Sequence, residues 1–180
     1  MANIERAKIV ASRVLKEHGV LQPPVDVLAL ARGQDIRVVF QDLEDKISGM
    51  LVQTGEETVI GVNARHHENR QRFTIAHELA HATLHPHAPT VYVDGMMVHF
   101  RGEAERGAEP IEIEANAFAA ALLMPEHFLR DELRDQTFDM YDEPAVRRLA
   151  QKYQVSVQAL TIRLMELGLL HGLPPQVGRA

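Results

Sequence analysis

The chain has 180 residues, 46% of them apolar, which suits one domain with a real core. Its formal net charge of −6 argues against a dominant polyanion-binding surface, and the absence of cysteine excludes disulfides and thiolate metal sites. The opening MANIERAKIVASRV is charged throughout and no later run is long enough to span a bilayer, so a cytosolic protein without a signal peptide is expected.

Residues 3–19 read as an amphipathic helix with Ile4, Ala7, Val10, Ala11, Val14 and Leu15 on one face and Gly19 as the stop. PPVDVLALARG, residues 23–33, reads as a second short helix, prolines first and Gly33 last. IRVVFQDL, GMLVQT and TVIGVNA then read as three strands, the last two joined by a turn around GEE. HENRQRFTIAHELAHATLH, residues 67–85, has no internal breaker and predicts one long helix closed by Pro86. VYVDGMMVHF is a candidate hairpin centred on Asp94-Gly95, and GEAERGAEP a loop. IEIEANAFAAALLM, ended by Pro125, predicts an alanine-rich helix that is apolar nearly all round and therefore buried. Two more helices are expected between Asp142 and Leu170, followed by a loose tail. Helices, a small sheet and further helices make an α+β fold, with a three-stranded sheet against the long helix. The expected division is a domain over 1–140, a helical hairpin over 141–171 and a tail over 172–180.

His77-Glu78-Leu79-Ala80-His81 is an HExxH motif. Positions i and i+4 share a helix face, so two imidazoles so placed can hold one zinc ion. Such an ion makes water acidic near neutral pH, and Glu78, about 100° round the helix, is placed to take the proton. The motif is short and arises by chance in unrelated helices, where it is a half-buried histidine pair beside a solvated glutamate. Here it lies mid-helix between apolar flanks, as the metal reading requires.

A catalytic zinc takes three protein ligands and keeps one position open. His85 lies a further turn along, about 12 Å from His77 at about 1.5 Å per residue, too far to share one ion. His77, His81 and His87 have the spacing of the metzincin pattern, shared by certain RNA-processing nucleases, but Leu84 stands where that pattern has glycine. Glu112 and Glu114 are the carboxylate candidates, and at about 200° apart on a helix only one can face the ion. Glu112 shares an inward stripe with Ala115, Ala119, Leu122 and Leu123, with Asn116 one turn on to accept a hydrogen bond from a ligand histidine. Either glutamate is also an ordinary first-turn helix residue favoured by the helix dipole.

RFTIAHELAHATLHP followed by EIEANAFAAALLMP resembles the ImmA/IrrE family of metallopeptidases, loosely over residues 1 to about 170. The resemblance implies zinc bound by His77, His81 and Glu112, with Glu78 as catalytic base. It also implies a protein substrate, typically a helix-turn-helix repressor in a stress or mobile-element response. A second oxyanion donor is expected, with Tyr92, His99, Tyr141 and Arg72 as candidates, and TVIGVN is a candidate edge strand for pairing with substrate.

AVRRLAQKYQVSVQALTIRLMELGLL resembles a helix-turn-helix, with QVS as the turn and Ser156 as N-cap. Arg147, Arg148, Lys152 and Arg163 supply positive charge, but Gln154, Ser156 and Gln158 give few polar groups for reading bases, which favours a hairpin that packs on the core or recognises the repressor. Two other functions compete with the peptidase. One is a DNA-binding regulator with a metal-sensing site; the other is a different metal-dependent hydrolase using His87. Glu78 separates them, because a pure sensor does not need it.

Overall fold

The computed structural model describes residues 1–54, 57–86, 91–93, 105–134 and 142–169. Helix α1 (Ile4–Glu17) starts at Asn3, whose side chain accepts from Arg6 N at 3.0 Å, and buries Ala7, Ala11, Val14 and Leu15. Helix α2 (Val27–Arg32) is capped by Asp26, which accepts from Ala29 N at 2.9 Å. In both a polar cap precedes an apolar stripe, but α2 begins later than expected: Pro23 and Pro24 lie before it, and Asp26 rather than a proline opens it.

Strands β1 (Ile36–Gln41), β2 (Gly49–Gln53), β3 (Thr58–Asn63) and β4 (Val91–Val93) form one mixed sheet in the order β1-β3-β2-β4. The three expected strands are present, and the first arm of the expected hairpin adds β4 along β2; residues 94–100 of that hairpin lie outside the described residues. β3 runs parallel to β1, with Ile36 opposite Thr58, and antiparallel to β2, with Gly49 opposite Val62. Both edges of TVIGVN are therefore occupied, which overturns its expected role as a strand open to substrate.

Helix α3 (Glu68–Leu84) is the expected long helix and packs on β2, β3, α2 and α4. Helix α4 (Glu105–Leu123) begins earlier than expected: residues 105–110, read as loop, are helical, and Pro110 lies inside. A proline removes one hydrogen bond and costs a helix roughly 3 kcal/mol, which burial of the turns that follow can offset. Helix α5 (Glu126–Glu132) follows Pro125 directly and was not foreseen. Helices α6 (Glu143–Tyr153) and α7 (Val157–Glu166) form the expected hairpin, with Gln154 at φ 52° in the turn and Ser156 accepting from Ala159 N at 3.0 Å. Buried Arg163 of α7 donates from Nε to Met124 O at 3.2 Å, satisfying a carbonyl at the end of α4. None of the described helices is long and apolar enough to cross a membrane.

Asn63, fully buried at the end of β3, organises the β1–β2 connection. Its Nδ2 donates to Ile47 O at 2.8 Å and Glu44 O at 3.1 Å, while Oδ1 accepts from Arg65 N at 3.0 Å. That connection delivers Gly49 against α3. A Cβ at Gly49 would stand 2.3 Å from Thr74 Cγ2 and 2.8 Å from Gly61 O, and 3.6 Å from Glu78 Oε1. Glycine is required here by close approach, since a side chain would force strand and helix apart. Gly49→Ala is expected to lower stability by about 1–3 kcal/mol, the usual cost of overpacking, measured by urea denaturation. An unchanged midpoint would show that the interface gives way freely.

Candidate metal centre

Helix α3 carries an unusual load for a buried element. His77, Glu78 and His81 are 5%, 1% and 1% exposed, among Thr74, Ile75, Ala76, Leu79, Ala80 and Leu84. Polar groups in such a place are stable only when paired. Those of the two histidines come from α4 and from each other. His77 Nδ1 lies 3.1 Å from Asn116 Oδ1, and His77 Nε2 lies 3.1 Å from Glu112 Oε2. His81 Nε2 lies 3.3 Å from Glu112 Oε1 and 3.0 Å from His77 Nε2.

These contacts restrict the protons. Asn116 Oδ1 accepts, so His77 carries its proton on Nδ1 when neutral. Its Nε2 then presents a lone pair toward a carboxylate oxygen and a second imidazole. Such a meeting needs a proton or a cation at its centre. A divalent cation resolves all three approaches without charging two buried rings. Ligand atoms around a tetrahedral zinc ion with bonds of about 2.0–2.1 Å stand about 3.3 Å apart. The 3.0–3.3 Å separations here match that spacing. His77, His81 and Glu112 also form the one group of potential ligands found among the described residues, and their donor set of two imidazoles and a carboxylate suits zinc.

Burial raises the Glu112 carboxyl, but hydrogen bonding and charge from His77 and His81 outweigh it and hold the group well below the usual carboxylate range. Its side chain is 43% exposed, whereas those of His77 and His81 are 6% and 2% exposed, so the cluster opens to solvent on the α4 side. Glu78 sits beside it, on the face of α3 that meets Gly49.

The two carboxylate candidates separate cleanly. Glu112 joins the histidines, while Glu114 is buried elsewhere, with Oε1 accepting from Asn3 N at 2.6 Å and Oε2 3.2 Å from His85 Nε2. His85 is the C-cap of α3, and burial lowers its pKa, opposed by Glu114. The rival ligand His87 lies outside the described residues, as do His99, Tyr141 and the side chain of Tyr92. Arg72 is engaged away from the cluster: it donates to Val25 O at 2.8 Å and to Gln154 O at 3.2 Å. The partners of Glu114 were not legible in the sequence, because the contact with Asn3 spans 111 positions.

The positive charge expected of the C-terminal hairpin is largely committed. Arg163 is buried, Arg147 pairs with Glu143 at 3.3 Å, and Lys152 pairs with Glu132. The outward face of α7 instead shows Val157, Ile162 and Met165.

Metal affinity should rank the α4 residues. Glu112→Ala is expected to abolish most metal binding, and Asn116→Ala to weaken it by about 10- to 100-fold, by competition with a chromogenic chelator. His87→Ala is expected to change it little. A large loss with His87→Ala and none with Glu112→Ala would move the centre to a three-histidine arrangement.

Comparison with known proteins places this geometry. Residues 31–165 match the IrrE N-terminal-like domain, Peptidase_M78. The radiation response metalloprotease IrrE of Deinococcus radiodurans is 34% identical over 113 residues, covering 62% of this chain and 32% of that protein. IrrE of Deinococcus deserti is 32% identical over 128 residues, covering 69% of this chain and 42% of that protein. An immunity region protein of Bacillus phage phi105 is 28% identical over 119 residues, covering 66% of this chain and 68% of its own. The chain thus spans less than half the length of either Deinococcus relative. A Mycobacterium tuberculosis transcriptional regulator shares the fold, with a TM-score of 0.63 at 21% identity over 97% of this chain and 49% of its own. Helices α3 and α4 and all four strands fall within the matched stretch, and the chain belongs to the IrrE N-terminal-like family of metalloproteases.

Proposed function

We propose that the protein is a zinc-dependent endopeptidase of the cytoplasm whose substrate is a helix-turn-helix transcriptional repressor. The observation that carries this reading is the convergence of His77, His81 and Glu112 within 3.0–3.3 Å beside buried Glu78. His77, His81 and Glu112 would hold the ion and Glu78 would be the catalytic base. Relatives named for a radiation response and a phage immunity region support a stress or mobile-element setting. Residues 1–140 would form the catalytic unit, and the hairpin over 141–171 would take part in recognising the substrate.

When bound, zinc supplies Lewis acidity, polarising a carbonyl and making water acidic near neutral pH. Glu78 accepts the proton of the attacking water as the new carbon–oxygen bond forms. It then gives that proton to the leaving amine nitrogen as the carbon–nitrogen bond breaks. Asn116 keeps the His77 ring in one tautomer and one orientation throughout.

Glu78→Gln is expected to retain zinc and to lose about 10²- to 10⁴-fold in peptide cleavage, followed on gels with a candidate repressor as substrate. Full activity in this variant, or in zinc-free protein, would refute the mechanism. In mobility-shift assays the protein alone is expected to show no tight, salt-sensitive, sequence-selective DNA binding. Such binding would favour a DNA-binding regulator with a metal sensor.

A further inference from the structure

Glu114 does not face the metal cluster, yet it stands two residues from Glu112 on the same helix. Its carboxylate is 10% exposed and joins two ends of the structure. Oε1 accepts from Asn3 N at 2.6 Å, at the start of α1, and Oε2 lies 3.2 Å from His85 Nε2, at the end of α3. Beside it, Arg6 of α1 donates to Leu84 O, the last carbonyl of α3, at 3.2 Å. Two helix ends, the start of α1 and the end of α3, therefore meet around one carboxylate in the middle of α4.

The surrounding packing explains why such a contact matters. α4 packs against both α1 and α3, and the buried residues of these helices are rich in alanine: Ala7 and Ala11, Ala76 and Ala80, Ala115 and Ala119. Small residues let helices approach closely, but they offer few knobs to fix how far one helix slides along another. A slip of one residue moves a helix by about 1.5 Å and turns it by about 100°. Either change would carry Glu112 away from His77 and His81. A polar contact that fits in one position only can set the register that the alanines leave loose.

We infer that Glu114 is a positioning residue for the metal centre, a latch that fixes α4 against α1 and α3 and so holds Glu112 opposite the two histidines. The inference rests on the metal-centre reading above. It makes the first turn of α1, remote in sequence, a determinant of metal affinity.

The test compares zinc dissociation constants, by chelator competition, with thermal midpoints of the zinc-free proteins. Glu114→Ala is expected to weaken zinc by about tenfold or more, comparable to loss of an outer contact to a ligand. Asp142→Ala, which removes the N-cap of α6, a helix that packs chiefly on α7, is the control of reduced stability, with unchanged zinc affinity. Should Glu114→Ala fail to fold, Asn3→Pro and Asn3→Ala supply the same information. Both lose the α1 cap, but only proline removes the N–H that Glu114 accepts, and Asn3→Pro should bind zinc several-fold more weakly. Wild-type affinity in Glu114→Ala, a loss matched by Asp142→Ala, or equal affinity in the two Asn3 variants would overturn the latch. Wild-type protein that binds no zinc would instead overturn the metal-centre reading itself.

Discussion

The fold turns on bringing two lone-pair nitrogens and a carboxylate within 3.0–3.3 Å of each other in a largely dry space. That arrangement is unfavourable for a bare protein, since buried polar groups must each find a partner of opposite character. It requires α3 and α4 to lie close together and to stay in register. Alanine on both helices answers the first need. The hydrogen bond from His77 to Asn116, with the contacts of Glu114 to Asn3 and His85, answers the second.

The sheet has a smaller part than the helices but a definite one. It backs α3 through β2 and β3 and covers the face that carries Glu78. Asn63 fixes the connection that leads into β2, so β2 begins at a determined point along α3. The C-terminal hairpin is tied to the same framework from the other end, through Arg163 on Met124 and Asn69 donating to Val155 O at 3.0 Å.

Much of this could be read in the sequence wherever local pattern and chemistry agree. The HExxH spacing, the apolar flanks and the absence of breakers located α3 and its histidines together. The choice of Asn116 as partner of a ligand histidine followed from i+4 geometry alone and is met at 3.1 Å. Local pattern failed where tertiary contacts decide. Pro110 suggested a loop, but the helix runs through it, and α5 is seven residues long, too short to show a period. The sequence of TVIGVN does not show that it is flanked on both sides, because pairing order is not written in any single strand. Arg163 looked like surface charge, yet it is buried as a cap on α4.

Gly49 carries a consequence of a different kind. At that position the strand has no side chain, and its backbone rests directly on α3 next to Glu78. On the sheet side the gap is therefore set by main-chain atoms alone, against the Thr74 methyl of α3. No residue is smaller than glycine, so change at this position can act in one direction only, by wedging the sheet outward. The distance has a floor and no slack, and the placement of Glu78 is gauged against the least variable part of the chain.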